Sequence, residues 1–217
     1  MKKFMLALVL VLALPMLQAH ANTLGFDSLS TGAGGVASIP DGYGGMQWVN
    51  MNVVNTSAAA FSGTNYMDAA VSGTNVATIA NPGQLAGFGS ATSFAFGSAY
   101  FTDVNNMTGD ALGTCCGGTV TVTGYALEND SLVQVDQTAL PTNPMGPTYW
   151  NFDWSNLNAV AFSYTAGQNG IGDTLAIDNL DPSPTATPLP GSAWLMGSAL
   201  VLGFLAMRRK NGFSNLA

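Results

Sequence analysis

Polar and apolar residues alternate through the middle of the chain. Residues 119–125 place threonines on one side and valines on the other, and residues 149–155 set Trp150, Phe152 and Trp154 opposite polar neighbours. A period of two is the pattern of a β-strand with one buried face. It predicts strands in both segments and assigns the three aromatic side chains to the core.

The other apolar runs are short and are separated by turns rich in Gly and Asn. They predict strands at 23–27, 46–54, 93–102, 132–136, 159–164 and 174–178, and hairpin arms after the similar segments 62–65 and 72–75. No amphipathic helix is predicted between them. Roughly eight to ten short antiparallel strands indicate an all-β fold, an antiparallel β-sandwich.

The amino-terminal end has a different pattern. Lys2 and Lys3 precede an apolar run at 4–17, and small residues then lead to Ala21 and Asn22, between which we expect cleavage. This is the pattern of a secretory signal peptide, a short helix over residues 1–21. The exported domain is then expected to cover residues 22–181.

The carboxyl-terminal end predicts a membrane-associated segment. A Pro-rich linker (182–190) leads into an uncharged apolar run that ends in a basic cluster, and these two parts span 191–210. The apolar run would form a helix about 26 Å long, near the lower limit for crossing a bilayer. The cations resist translocation, so residues 211–217 are expected to be a cytoplasmic tail.

The order Pro188-Leu189-Pro190, apolar run, Arg208-Arg209-Lys210 resembles the PEP-CTERM sorting signal, with leucine in place of the usual glutamate. The resemblance implies a Gram-negative exported protein that is held transiently in the inner membrane. It also implies cleavage near the prolines by an exosortase-type protease and delivery to the outer surface or its exopolysaccharide. A single-pass tail anchor is the alternative interpretation.

Charge separates the two ends from the exported domain. All five Lys and Arg and the single His lie in the terminal segments, whereas all 12 acidic residues lie from Asp27 to Asp181. The exported domain therefore has no internal salt bridge. Nucleic-acid binding is excluded because no cation can meet the phosphates, and Ser-His-Asp or Cys-His catalysis is excluded because His is absent.

Carboxylate chemistry is the common enzymatic chemistry that this composition still allows. Paired carboxylates can hydrolyse glycosides, but the only glutamate, Glu128, lies beside Asp130 in a turn that exposes it to solvent. We therefore predict a protein that is not an enzyme. A carboxylate-dependent glycan-active enzyme is the remote alternative.

Residues 26–27, 39–48, 120–125 and 177–180 resemble extracellular jelly-roll domains, carbohydrate-binding modules of the galactose-binding type. The resemblance implies a jelly-roll topology for the sandwich. It also implies a structural Ca²⁺ where the first and last strands meet, and the oxygen ligands expected there are those of Asp27, Asp178 and Asn179. The alternative is that these side chains only bind turn amides.

Sugar binding would use an aromatic ring under the pyranose and polar groups at the rim. The aromatic candidates near Gly- and Asn-rich turns are Tyr43, Trp48, Tyr66 and Tyr100. The rim candidates are Asp41, Asn50, Asn65 and Asp68. Trp48 also alternates with Met46, which favours a core position for its indole ring.

The two cysteines are adjacent, at Cys115 and Cys116, in a Gly-rich segment. Free thiols do not persist in an oxidising compartment. A vicinal disulfide that stiffens an exposed turn is the preferred interpretation, and pairing between two chains is the alternative. A metal site would need further Cys or His ligands that the exported domain lacks.

These patterns predict a surface- or matrix-associated protein of the bacterial envelope, a non-enzymatic component of an exopolysaccharide biofilm. The alternative is a carbohydrate-binding module with a defined glycan ligand.

Overall fold

The computed structural model describes residues 23–105, 117–167 and 173–183, which form an antiparallel β-structure consistent with the predicted β-sandwich. The nine strands are β1 (Val36–Ser38), β2 (Gln47–Val49), β3 (Met51–Asn55), β4 (Asn75–Ile79), β5 (Ala86–Asn105), β6 (Thr119–Glu128), β7 (Ser131–Pro141), β8 (Thr148–Thr165) and β9 (Asp173–Asp178). The helices of this part of the chain are three 3₁₀ turns, at Tyr43–Gly45, Ala59–Phe61 and Asn65–Asp68.

Several sequence predictions fall outside the described residues. They are the signal-peptide helix with its cleavage site at Ala21 and Asn22, the carboxyl-terminal helix, the sorting signal and the pair Cys115 and Cys116. Within the described residues, no helix is long and apolar enough to cross a bilayer.

Two long strands, β5 and β8, organise the fold. They pair with each other over most of their length, with register shifts between Gly89 and Ser98. Bulges of this kind bend a strand. One end of the β5–β8 pair continues into β2 and into β6 and β7, and we call this the first sheet. The other end continues through β9 to β4, β3 and β1, and we call this the second sheet.

Aromatic side chains join the two sheets. The rings of Phe88 and Phe162, on the first sheet, lie 6.0 Å apart, and Phe101, on the second sheet, lies 5.9 Å from Phe162. All three side chains are buried. Full burial of such a side chain contributes roughly 1.5–3 kcal/mol to the free energy of unfolding. These rings therefore account for a large part of the packing energy between the two sheets.

The predicted inward row on β8 is present. Trp150, Phe152 and Trp154 pack against the core, and Phe152 stacks on Phe96 with ring centroids 4.6 Å apart. The three side chains are half-buried rather than fully buried. The reason is that this part of β8 is the edge strand of the second sheet.

Three strand predictions need correction. The predicted strand 46–54 is two strands, β2 and β3, because Asn50 between them has a left-handed φ of 52°. The predicted first strand, 23–27, is reduced to one bridge between Leu24 and Leu180. Segment 62–65 leads into a 3₁₀ turn instead of a hairpin arm, whereas 72–75 does lead into β4.

The outer face of the second sheet is partly covered by residues 56–74. Phe61 and Tyr66 from this segment pack on Val54, Val76 and Val104 in a small second core. Further along the same face, Tyr149 is 52% exposed. The open part of this face contains the candidate site.

Candidate functional site

Two tyrosine rings pack together on the outer face of the second sheet, and we call them the tyrosine platform. Tyr100 of β5 and Tyr149 of β8 are directly opposite each other in the ladder. Their ring centroids lie 5.1 Å apart, with 57° between the ring planes. Tyr149 is exposed and Tyr100 is half-buried, so both rings form part of the surface.

Strand parity explains why these rings face outward. On β8, residues 150, 152 and 154 face the core, so Tyr149, Asn151 and Asp153 lie on the opposite side and are exposed. On β5, Tyr100 lies between two fully buried residues. The same alternation that builds the core therefore places the platform on the surface.

Polar side chains adjoin the platform. Ser98 and Asn151 are partners in the same ladder, and Asn151 Nδ2 donates a hydrogen bond to Asp153 Oδ2 at 2.6 Å. The Asp181 N–H donates to the Ser98 carbonyl at 2.9 Å. A Cβ on Gly97 would come within 2.6 Å of Asp181 Oδ2, so glycine at this position allows the carboxylate to lie against β5.

The arrangement suits a flat ligand that has one apolar face and many hydroxyl groups. Tyrosine rings cover apolar C–H surface and carry a hydroxyl at one end. Positions two apart on a strand are separated by roughly 6.8 Å, so Asn151 lies one such step from Tyr149 and Asp153 lies two steps, roughly 13.6 Å, from it. An oligosaccharide that rests on Tyr149 can reach both polar groups. The site is an open surface and not an enclosed pocket.

Of the four aromatic residues predicted to contact a glycan, Tyr100 is the one at the platform. Trp48 is 8% exposed and belongs to the core. Its Nε1–H donates to the Tyr43 carbonyl and its backbone N–H donates to Asp41 Oδ1, both at 2.9 Å. The Tyr43 hydroxyl donates to the carbonyl of Gly25. The polar groups of Trp48 and the Tyr43 hydroxyl are therefore engaged in hydrogen bonds within the domain. The Trp48 ring faces the core.

Tyr66 also lies in the interior. It is 2% exposed and its ring packs on Phe61 at 4.8 Å. Burial raises the pKa of the Tyr66 hydroxyl to about 12. Its ring belongs to the small second core rather than to the tyrosine platform.

Tyr149 was not among the predicted contacts. Its outward direction follows from the alternation of β8, which was recognised for its neighbours. Its contact with Tyr100 depends on which strand pairs with β8, and the sequence alone does not give that pairing.

The predicted calcium ligands come together around the turn at 71–75. Asp27 Oδ1 accepts from the N–H groups of Thr74 (2.7 Å) and Asn75 (3.0 Å). Asp178 Oδ2 accepts from the N–H groups of Val71 (2.8 Å) and Ser72 (3.1 Å). The Ser72 hydroxyl contacts Asn179 Oδ1 at 2.9 Å.

This geometry gives both aspartates the turn-amide role that was the alternative interpretation. The turn also depends on Gly73, whose φ is 58° and whose added Cβ would lie 2.0 Å from Asp27 Oδ1. Asn75 Oδ1 is buried beside this turn, without a hydrogen-bond partner among the described residues. No cluster of three or more His, Cys, Asp or Glu side chains suited to a metal occurs in residues 23–105, 117–167 and 173–183.

Another buried carboxylate, that of Asp103, connects β5 to the start of β6 and the end of β8. Asp103 Oδ1 accepts from the Tyr164 hydroxyl at 2.6 Å, and Oδ2 accepts from the Gly118 N–H at 3.0 Å. Burial raises the pKa of the Asp103 carboxyl, against the effect of these two hydrogen bonds. The same cause raises the pKa of Asp178, and the nearby charge of Asp27 adds to it.

A concave surface crosses the outer face of the first sheet. It is a groove of about 560 Å³ with a floor of small residues. Its walls are mostly apolar side chains, namely Val49, Leu85, Leu127 and Leu132, together with Tyr125. It has fewer polar groups to orient a hydroxyl-rich ligand than the tyrosine platform has.

Among the solved structures similar to this chain are two carbohydrate-binding modules. One is described as "Family 16 Carbohydrate Binding Module-2", with 14% identity, a TM-score of 0.31, and coverage of 61% of this chain and 87% of that chain. The other is a family 29 carbohydrate-binding module studied for ligand recognition, with 15% identity, a TM-score of 0.33, and coverage of 77% and 95%. No family model matches the chain, and no curated protein matches it. At these identities and TM-scores the similarity assigns no ligand to this chain.

The buried carboxylates predict that mild acid stabilises the fold. Asp103 and Asp178 have raised pKa values, so the folded state takes up protons at a higher pH than the unfolded chain does. This stabilisation is complete below the ordinary value of 3.8 and is lost as the pH rises through the folded pKa. Urea unfolding should therefore give a higher free energy of unfolding as the pH is lowered from 7 toward that value.

Two substitutions serve as controls for this pH dependence. Asp103→Asn should flatten the profile, whereas Asp130→Asn, in an exposed turn, should leave it unchanged. A free energy of unfolding that falls steadily with acidification would show that the two carboxyls are charged and favourably placed in the fold.

Proposed function

We propose that this protein is a non-catalytic glycan-binding domain whose binding surface is the tyrosine platform. The observation that carries the proposal is the contact of Tyr100 and Tyr149 on an open sheet face, with hydroxyl, amide and carboxylate groups at the neighbouring strand positions. A pyranose has an apolar C–H face and a rim of hydroxyls, which matches this combination.

The polar groups at the rim can orient such a ligand. Asn151 offers an amide and Ser98 a hydroxyl, and the Asp153 carboxylate retains acceptor capacity after its bond from Asn151. A hydroxyl can both donate and accept, so a sugar can satisfy all three groups. The ladder fixes the spacing of these side chains, and little ordering remains to oppose binding.

The proposal of a non-catalytic role is supported by the positions of the carboxylates. Asp27, Asp103 and Asp178 each accept hydrogen bonds from backbone N–H groups and hold the chain in place. The other buried carboxylate among the described residues, Asp173, lies on a strand of the same sheet as Asp103 and not across a cleft from it. Glu128 is exposed at the end of β6. A glycosidase needs two carboxyl groups on either side of the scissile bond.

The proposal extends to export and sorting. A signal peptide over residues 1–21 and a PEP-CTERM-like segment over residues 191–210 would deliver the domain to the envelope or to its exopolysaccharide. A glycan-binding domain in that location would act as a component of the matrix. An exosortase-type protease and the inner membrane are the partners that this route implies.

We also propose a structural Ca²⁺ at the turn formed by residues 71–75. The support is the convergence of Asp27, Asp178 and Asn179 and the buried Asn75 Oδ1 beside them. Hard oxygen ligands of this kind suit Ca²⁺. The ion would join the two ends of the domain, where Leu24 pairs with Leu180.

Removal of one platform ring tests glycan binding. Tyr149→Ala should weaken binding on a glycan array by about 30-fold, because an aromatic anchor contributes on the order of 2 kcal/mol. Tyr125→Ala removes a half-buried tyrosine from the other sheet and is the matched control. Equal binding by the Tyr149→Ala and Tyr125→Ala variants, with unchanged melting temperatures, would refute the platform as the binding surface.

Chelation tests the calcium site. Thermal unfolding in 1 mM Ca²⁺ should occur at least about 4 °C above unfolding in EDTA, since a ligand that binds the folded state raises its stability. In Asp27→Asn the two midpoints should coincide. Identical midpoints for the unmodified chain would leave Asp27 and Asp178 with their turn-amide role alone.

Fractionation tests export and sorting. We expect the mature domain in the envelope or the medium and a full-length or signal-cleaved precursor in the inner membrane. The cations Arg208, Arg209 and Lys210 are expected to hold the carboxyl-terminal tail in the cytoplasm. Changing all three to glutamine should therefore disturb the membrane orientation of the precursor and lower the fraction of the protein that reaches the cell surface. Full-length protein found soluble in the cytosol would contradict this route.

A further inference from the structure

We infer that the tyrosine platform selects glycans that carry free amino groups, such as partly deacetylated hexosamine polymers, over glycans that carry uronic acids. The inference rests on the proposed function and adds the chemical class of the ligand.

Carboxylates surround the platform on more than one side. Asp153 lies on the outer face of β8, in the same row as Tyr149 and Asn151. Asp178 is the ladder partner of Tyr100 on its other side. Asp181 follows β9 in the chain, and its backbone N–H donates a hydrogen bond to the Ser98 carbonyl.

No basic side chain of the domain balances these charges. Residues 22–207 contain no Lys, Arg or His, whereas all 12 acidic residues of the chain lie between 27 and 181. Charges are screened over roughly 8–10 Å at moderate salt, so the platform lies within the negative field of its own neighbours. An anionic sugar would be repelled and would find no basic side chain to bind.

The hydrogen-bonding groups point to the same class of ligand. A carboxylate only accepts hydrogen bonds, and an ammonium group offers three donors. Asp153 is exposed and Asp181 is half-buried, so both can be approached from solvent. Bonds of this charge-assisted kind are shorter and stronger than neutral ones. An ammonium group over a tyrosine ring gains a further attraction to the ring face.

Two substitutions isolate the charge from the structure. Asp153 has a left-handed φ of 52°, a conformation that asparagine adopts readily, so Asp153→Asn removes the charge and leaves the backbone undisturbed. Asp130 has a φ of 62° and lies in the exposed β6–β7 turn, away from the platform. Asp130→Asn is therefore a control with the same change in charge and the same backbone demand.

The experiment compares three oligosaccharide probes of equal length on the purified full chain. The probes are a β-1,4-glucosamine hexamer, its fully N-acetylated form and an oligomer of uronic acid, each titrated at about pH 6 so that the amines are charged. We expect the amine form to bind about five- to tenfold more tightly than the acetylated form, and the uronic acid oligomer to show no binding. High salt should remove the difference between the first two.

The variants then locate the effect. Asp153→Asn should weaken binding of the amine form more than binding of the acetylated form, so that the preference for the amine form falls at least twofold, and Asp130→Asn should alter neither. Tyr149→Ala should weaken binding of both the amine form and the acetylated form. This pattern supports an amine-selective platform.

Other outcomes overturn the inference in distinguishable ways. Equal, salt-independent binding of the amine and acetylated forms, lost in Tyr149→Ala, would refute the charge selection and leave the glycan-binding function standing. Equal loss of amine binding in Asp153→Asn and Asp130→Asn would show that the preference is a non-specific attraction between a polycation and an acidic domain. Absence of binding by every neutral and amine-bearing probe would overturn both proposals, and binding of the uronic acid oligomer would overturn the selection.

Discussion

The pairing of β5 with β8 is the interaction on which the rest of the structure depends. These two strands belong to both sheets, because register shifts between Gly89 and Ser98 carry them from one to the other. Their inward side chains, among them Phe101 and Phe162, join the sheets across the core. Their outward side chains, Tyr100 and Tyr149, form the platform. A single ladder therefore determines both stability and the exposed aromatic surface.

The absence of cations imposes a second constraint. A buried carboxylate is costly unless its charge is met, and residues 22–207 contain no Lys, Arg or His to meet it. The chain uses backbone N–H groups and hydroxyls instead. Asp178 holds the turn at Val71 and Ser72, and Asp103 ties the start of β6 to the end of β8 through Gly118 and Tyr164. These aspartates act as connectors between segments that are distant in the sequence.

A domain without basic side chains also suits the proposed location in a polysaccharide matrix. Such a domain has no basic side chain for ion pairs with anionic polymers, so the proposed interaction with the matrix would come from ring stacking, hydrogen bonds and attraction for positive groups. The two proposed roles, glycan binding and matrix association, are therefore aspects of one surface chemistry. The apolar groove on the first sheet is a separate surface whose occupant nothing in the structure identifies.

The sequence by itself determined the class of fold, most of the strands and the charge of the domain. Alternation along β6 and β8 is a local property, and a period of two can be seen without a partner strand. It predicted correctly that residues 150, 152 and 154 share an inward face. The sequence also predicted that Asp27 and Asp178 would converge, since the two ends of the domain were expected to pair.

Tertiary structure decided which aromatic residues remain exposed. Trp48 and Tyr66 have the turn-rich surroundings of binding residues, but they are covered by Phe88 on the opposing strand and by Phe61 in the loop segment. Tyr149 has no such cover, and its contact with Tyr100 exists because β8 pairs with β5 in one particular register. Local pattern fixes the side of a strand on which a residue lies, whereas exposure depends on what packs against that side. That packing comes from contacts between residues far apart in the chain.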